Sequence, residues 1–120
     1  MCQDLQSADP SLLPARDDAA ALATTGGDAE LAEQLFATLR EGLPEEIARL
    51  HHPARAEDWG ALADAAHRFR GATAYCGVPA LDRALQDLER AARSSDLTRI
   101  SPALERVERE TERLIADRAR

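Results

Sequence analysis

Three histidines and two cysteines are the side chains of this 120-residue chain best suited to nucleophilic or metal chemistry. Cys2 and Cys76 form no CxxC pair, and His51 and His52 are adjacent rather than one helical turn apart. No HExxH is present, so no metal site is expected. His51 and His52 read instead as cations near a helix C-terminus, where the dipole favours them. His67 stands apart. Around it Trp59, Leu62, Ala66, Phe69, Thr73 and Cys76 recur in steps of three and four, the spacing of one buried helical seam. At ~100° per residue the centre of that seam lies roughly 130° from His67, which therefore faces solvent. Gly60, Asp64, Arg68 and Gly71 share the outward face. Gly71 follows His67 by one turn, although a mid-helix glycine costs about 1 kcal/mol relative to alanine. A glycine there leaves room for another surface to approach the imidazole, and Gly60 thins the same face further along. Arg68 and Arg70 flank the histidine. A guanidinium can hold a negatively charged group carried on the ring, and Arg70, at i+3, has the better spacing. An exposed surface histidine among solvated arginines is the competing reading of these residues.

The elements that must position His67 follow from periodicity and punctuation. Residues 1–16 mix Pro, Ser and Asp without a period and read as a tail or linker; residues 17–120 read as the domain. A short helix is expected over Asp17 to Thr24, stopped by Gly26 and Gly27. Asp28 then caps a second helix whose stripe is Leu31, Leu35, Leu39, Leu43, Ile47 and Leu50. Gly42 and Pro44 predict a kink or break near Arg40, and His51-His52-Pro53 predicts its end. Asp58 caps the histidine helix, which runs to about Cys76, with Gly77 just beyond its end. Pro79 opens a fourth helix bearing Leu81, Leu85, Leu88 and Ala92 and ending near Ser94-Ser95. Ser101-Pro102 predicts the start of the last helix, striped by Ile100, Leu104, Val107, Thr111 and Leu114. The expected fold is all-α: an antiparallel up-down-up-down four-helix bundle with a short N-terminal capping helix.

Composition narrows the function classes. The net charge is −7, which disfavours a nucleic-acid partner; every basic residue is arginine, as a GC-rich genome would produce. Aromatics are only 3% of the chain and strand formers are scarce, in keeping with helix. No apolar run has the length of a membrane span and no basic-then-apolar leader is visible, so a cytoplasmic protein without membrane association is expected. Nothing resembles a Walker A loop or a dinucleotide fingerprint. The opening Met1 favours a free-standing protein over a piece of a larger one.

The segment AHRFRGATAYCGVPALDRALQDLERAAR, Ala66 to Arg93, resembles the core of histidine-containing phosphotransfer (HPt) domains. The family pattern is a histidine, an apolar residue, a basic residue, a glycine, small residues, then glycine and a Leu-rich helix. Here these are His67, Phe69, Arg70, Gly71, Ala72 to Ala74, Gly77, and Leu81 to Leu88. GATAYCGVP, with EGLPEE upstream, is similar to the C-terminal HPt domain of GacS- and BarA-type hybrid sensor kinases. Arg70 stands where many HPt domains carry lysine, keeping the charge but presenting a planar fork.

The resemblance implies a phosphorelay intermediate. His67 would accept a phosphoryl group, at Nε2, from a receiver-domain aspartate and pass it to a response-regulator aspartate. Arg70 and Gly71 would meet the phosphate or the partner, with Arg68, Asp64 and Gly60 around them. The chain would be a phosphocarrier, expected as a monomer, with no ATP site and no cofactor of its own; Mg²⁺ would come from the receiver. Were the chain an excised domain, its parent would be a hybrid histidine kinase. The alternative is a module that binds receivers without being phosphorylated and sequesters a response regulator, a role that does not need His67. A metal or redox bundle is a third class, disfavoured by the lack of paired ExxH motifs.

Overall fold

A computed structural model describes residues 12–118. Five α-helices, and no strand, lie among them: α1 Asp18–Thr24, α2 Ala29–Arg55, α3 Trp59–Thr73, α4 Pro79–Arg93 and α5 Leu97–Arg118. Aspartates set most of the starts. Asp17, Asp28 and Asp58 each accept a hydrogen bond from the backbone amide three residues on, at Ala20, Leu31 and Ala61, satisfying an amide that the helix itself leaves unpaired. Pro79 begins α4 at a position where its missing N–H costs nothing.

Successive helices pack on one another, and α2 also meets α5. Phe36, Leu39, Leu43, Leu50, Leu62, Phe69, Leu81, Leu85, Leu88, Ile100, Val107 and Leu114 fill one continuous core, with Trp59 partly buried at its edge. The expected seam of α3 is therefore largely the buried one. On α2, however, Leu31 is exposed and Phe36, outside the expected stripe, is buried.

Three expected boundaries are corrected. Helix α2 continues through both Pro44 and Pro53. Pro44 deprives the Arg40 carbonyl of its usual i+4 donor. Its neighbours Leu43 and Leu50 are fully buried, and that burial offsets the one lost hydrogen bond. Pro53 is itself buried and packs as an apolar residue. Helix α3 ends at Thr73 rather than Cys76. Helix α5 begins four residues before Ser101, because Asp96 captures its N-terminus: Oδ1 of Asp96 accepts from the Thr98 amide at 3.2 Å and the Thr98 hydroxyl at 2.7 Å. Pro102 then lies inside the helix.

The segment before α1 is tied to the rest of the chain. The Asp17 amide donates to the Gly77 carbonyl at 2.7 Å and the Ala80 amide to the Pro14 carbonyl at 3.3 Å. Arg113 donates to the Leu13 carbonyl, and the Arg16 guanidinium lies 3.8 Å over the Phe36 ring. Gly77 makes this close approach practicable. Its φ is +63°, and a Cβ there would lie 2.8 Å from Ala21 Cβ and 2.9 Å from Ala21 N.

Candidate functional site

His67 sits in the middle of α3 with its side chain 69% exposed, while Ala66 and Phe69 beside it are fully buried. The outward direction expected from the helical wheel is the one observed. The imidazole is nevertheless not free to turn. Its Nδ1 lies 3.1 Å from Oε2 of Glu89, which reaches across from α4. A carboxylate only accepts, so in the neutral imidazole this bond selects the Nδ1–H tautomer, in which the lone pair is on Nε2.

Glu89 is the hub of the site. Its side chain is only 15% exposed, and besides His67 it meets Arg70 Nη1 at 3.3 Å and Arg93 Nη2 at 3.4 Å. Arg93 also reaches Asp64 at 3.3 Å, tying α4 back to α3 one turn before His67. Behind this, Arg70 Nε lies 3.6 Å from Asp82 Oδ1, and the Thr73 hydroxyl lies 2.8 Å from the same oxygen. The order His67, Glu89, Arg70, Asp82, Thr73 thus runs inward from a solvent-facing ring to a buried hydroxyl, alternating between helices α3 and α4. Two arginines and three carboxylates make up this network around the ring, so the site is ordered without a large net charge of its own.

The other expected residues fall around this network in different ways. Gly71 is exposed, and a Cβ built there meets nothing within 4 Å. Among the described residues, no packing requires a glycine at that position. Gly60 is exposed as well, its nearest neighbour for such a Cβ being Asp58 Oδ1 at 3.9 Å. Arg68 is exposed beside His67 and makes no side-chain ion pair among the described residues, whereas Arg70 is drawn into the network. Asp64 joins it through Arg93. Glu89 and Arg93 were not expected from sequence. Each is one more charged residue on the polar face of α4, and only the crossing of the two helices brings them to the ring.

The remaining reactive side chains lie elsewhere. His51 is not an end-cap: it sits inside α2 and its Nε2 pairs with Glu108 of α5. His52 occupies the last turn of α2. Cys76 is buried, and that burial pushes its thiol above the usual cysteine value, which keeps it from acting as a nucleophile. Tyr75 is exposed near the end of α3. Among the described residues, no three His, Cys, Asp or Glu side chains gather in a metal-holding group, and no helix is long and apolar enough to cross a membrane.

The site is thus an exposed histidine on a helical surface, held by a carboxylate from the next helix. The Hpt domain model matches residues 34–117, and the chain belongs to that family. Membership in that family supports a phosphotransfer role in two-component signalling. Among curated proteins, the sensor histidine kinase GacS of Pseudomonas protegens is 33% identical over 96 residues. That alignment takes in 80% of this chain but 10% of the kinase, so the chain spans about a tenth of its relative's length. No solved structure matches the chain.

Proposed function

We propose that His67 Nε2 is the phosphoryl acceptor and donor of a two-step relay between receiver domains. In the first step the Nε2 lone pair attacks phosphorus on a receiver's phosphoaspartate. The N–P bond forms, the P–O bond to the aspartate breaks, and the aspartate leaves as carboxylate. In the second step a response-regulator aspartate attacks the same phosphorus, the N–P bond breaks, and the lone pair returns to Nε2. Mg²⁺, supplied by the receiver, neutralises charge on the transferring group. This chain's own part is to position the nucleophile and stabilise charge, which is most of what phosphoryl transfer asks of a protein.

The observation that carries the reading is the Nδ1 to Glu89 bond on a ring 69% exposed. Attack from Nε2 leaves the imidazole cationic, with its remaining proton on Nδ1. Glu89 already faces that proton and stabilises the charge as it develops. Glu89 is thus a positioning residue acting through His67. Arg70 serves as the phosphate contact: a phosphoryl group on the ring gives its guanidinium a second anionic acceptor beside Glu89. The open space at Gly71 admits the receiver, and Arg68, Asp64 and Gly60 form the rim on which it rests. The antiparallel up-down-up-down arrangement belongs to this reading, because it presents α3 and α4 side by side to one partner. So do a monomeric carrier in the cytoplasm and partners that are the receivers of a hybrid sensor kinase and of its response regulator.

The test is to incubate the protein with Mg²⁺ and a receiver domain carrying ³²P on its aspartate. The expected result is label on this chain that is acid-labile, alkali-stable and absent from His67→Gln. Binding of the receiver without transfer of label would reject the carrier role in favour of sequestration.

A further inference from the structure

A second concave site lies between α4 and α5, away from the histidine. Four guanidiniums line it: Arg83 and Arg90 from α4, Arg99 and Arg106 from α5. In a protein of net charge −7 this is a local reversal of sign. The α4 residues of this site centre about 150° around the helix from Glu89, so it does not share the histidine face. Its only lining carboxylate is Asp87, which pairs with Arg83 at 3.3 Å. Arg99 is held by Asp96 at 3.4 Å outside the recess, and Arg90 makes no ion pair among the described residues. Among the lining residues four guanidiniums stand against one carboxylate.

The floor is of a different kind. Ala84, Ala91 and Ala103 are buried at its base, where their small side chains leave the hollow open. The cavity measures about 350 Å³, near the lower bound for small-molecule sites. Ser94 and Thr98 stand at its side. Their hydroxyl protons are directed to the Arg90 or Ala91 carbonyl and to Asp96, so their oxygens remain available as acceptors.

We propose that this recess binds an organic phosphate of about mononucleotide size. Guanidinium forks match phosphate oxygens two at a time and also stack on planar rings. The alanine floor accommodates an apolar face, and the Ser94 and Thr98 oxygens accept hydrogen bonds from hydroxyl or amino groups of the ligand. A bare inorganic anion would leave most of the cavity and its apolar floor unused. An acidic protein segment would meet the arginines but would make no use of the alanine floor.

The experiment is calorimetric titration of the full chain with adenosine 5′-monophosphate, and in parallel with inorganic phosphate, adenosine and a glutamate-rich peptide. Saturable binding of the nucleotide is expected, with phosphate and adenosine each at least about tenfold weaker. The double variant Arg90→Ala/Arg99→Ala should lose about tenfold or more, the worth of one charged hydrogen bond. Both side chains are exposed, so the fold is kept, which circular dichroism checks. Arg49→Ala/Arg55→Ala on α2 removes the same charge elsewhere and should leave binding as it was. The proposal fails if the nucleotide does not bind, if both double variants weaken it equally, or if phosphate or the peptide binds as tightly. None of these outcomes depends on whether His67 carries a phosphoryl group.

Discussion

Glu89→Ala is the substitution that most directly probes how the histidine is prepared. Glu89 receives the His67 Nδ1 proton at 3.1 Å and is largely shielded from water. A hydrogen bond to a charged group in such a position contributes about 1.5–3 kcal/mol. It strengthens as Nε2 bonds to phosphorus and the ring becomes cationic. If that contribution is realised in the transition state, its loss slows transfer about ten- to one-hundred-fold. The fold should tolerate the change, because Arg70 keeps Asp82 and Arg93 keeps Asp64. The cost in stability is then about 1–3 kcal/mol, that of removing one shielded partner from a network whose other pairs remain. The assay is single-turnover transfer from a phosphorylated receiver, read together with the ¹⁵N shifts of the His67 ring. In Glu89→Ala the preference for the Nδ1–H tautomer should weaken. Glu89→Gln, which can still accept from Nδ1 but lacks the charge, should restore the tautomer and only part of the rate. A wild-type transfer rate in Glu89→Ala, with the ring tautomer unchanged, would refute the assignment of Glu89 as the positioning residue.

Three further outcomes are expected. His67→Gln should abolish phosphorylation and leave helix content as it is, since the ring is exposed; loss of helical circular dichroism would contradict that placement. Gly71→Leu should fold normally, because the position is exposed and a Cβ there meets nothing within 4 Å among the described residues, yet it should weaken receiver docking; unaltered transfer kinetics would remove the steric argument. Asp96 is held below the ordinary carboxylate value, chiefly by the Thr98 hydroxyl, with Arg99 assisting. Because the folded value lies below the unfolded one, its contribution is present above about pH 4 and lost as the pH falls through the folded value. Denaturant melts of wild type and Asp96→Ala should therefore differ at neutral pH and converge in acid, and a difference that persists in strong acid would contradict this capping role.

Much of the architecture was written in local chemistry. Asp28 and Asp58 begin their helices as an N-cap rule requires, Pro79 sits where its missing donor is harmless, and Gly77 ends the turn before it. The direction of His67 followed from the spacing of Leu62, Ala66 and Phe69. The misread boundaries have two causes: tertiary burial outweighed a local signal at the prolines of α2, and a stronger local cap outweighed a weaker one at α5. Pro44 and Pro53 both look like helix breakers, but the leucines around Pro44 and the ring of Pro53 are held by the core. Ser101-Pro102 is a good helix start, but Asp96 with Thr98 supplies an earlier one and Ile100 becomes buried inside the helix. Glu89, Arg93 and the pairing of His51 with Glu108 could not be read at all, because each depends on which helix faces lie together and not on any run of residues.

The segment ahead of α1 changes how this domain would have to be cut. The family match begins at residue 34, after α1 and the first turn of α2. A fragment trimmed to that match would expose Phe36 by removing the Arg16 guanidinium that covers it. It would also free the Gly77 carbonyl and the Ala80 amide, on the turn that leads from the histidine helix into the helix of Glu89. The stretch recognisable as the family's signature is thus shorter than the stretch that must travel with it when the domain is expressed or grafted into another protein.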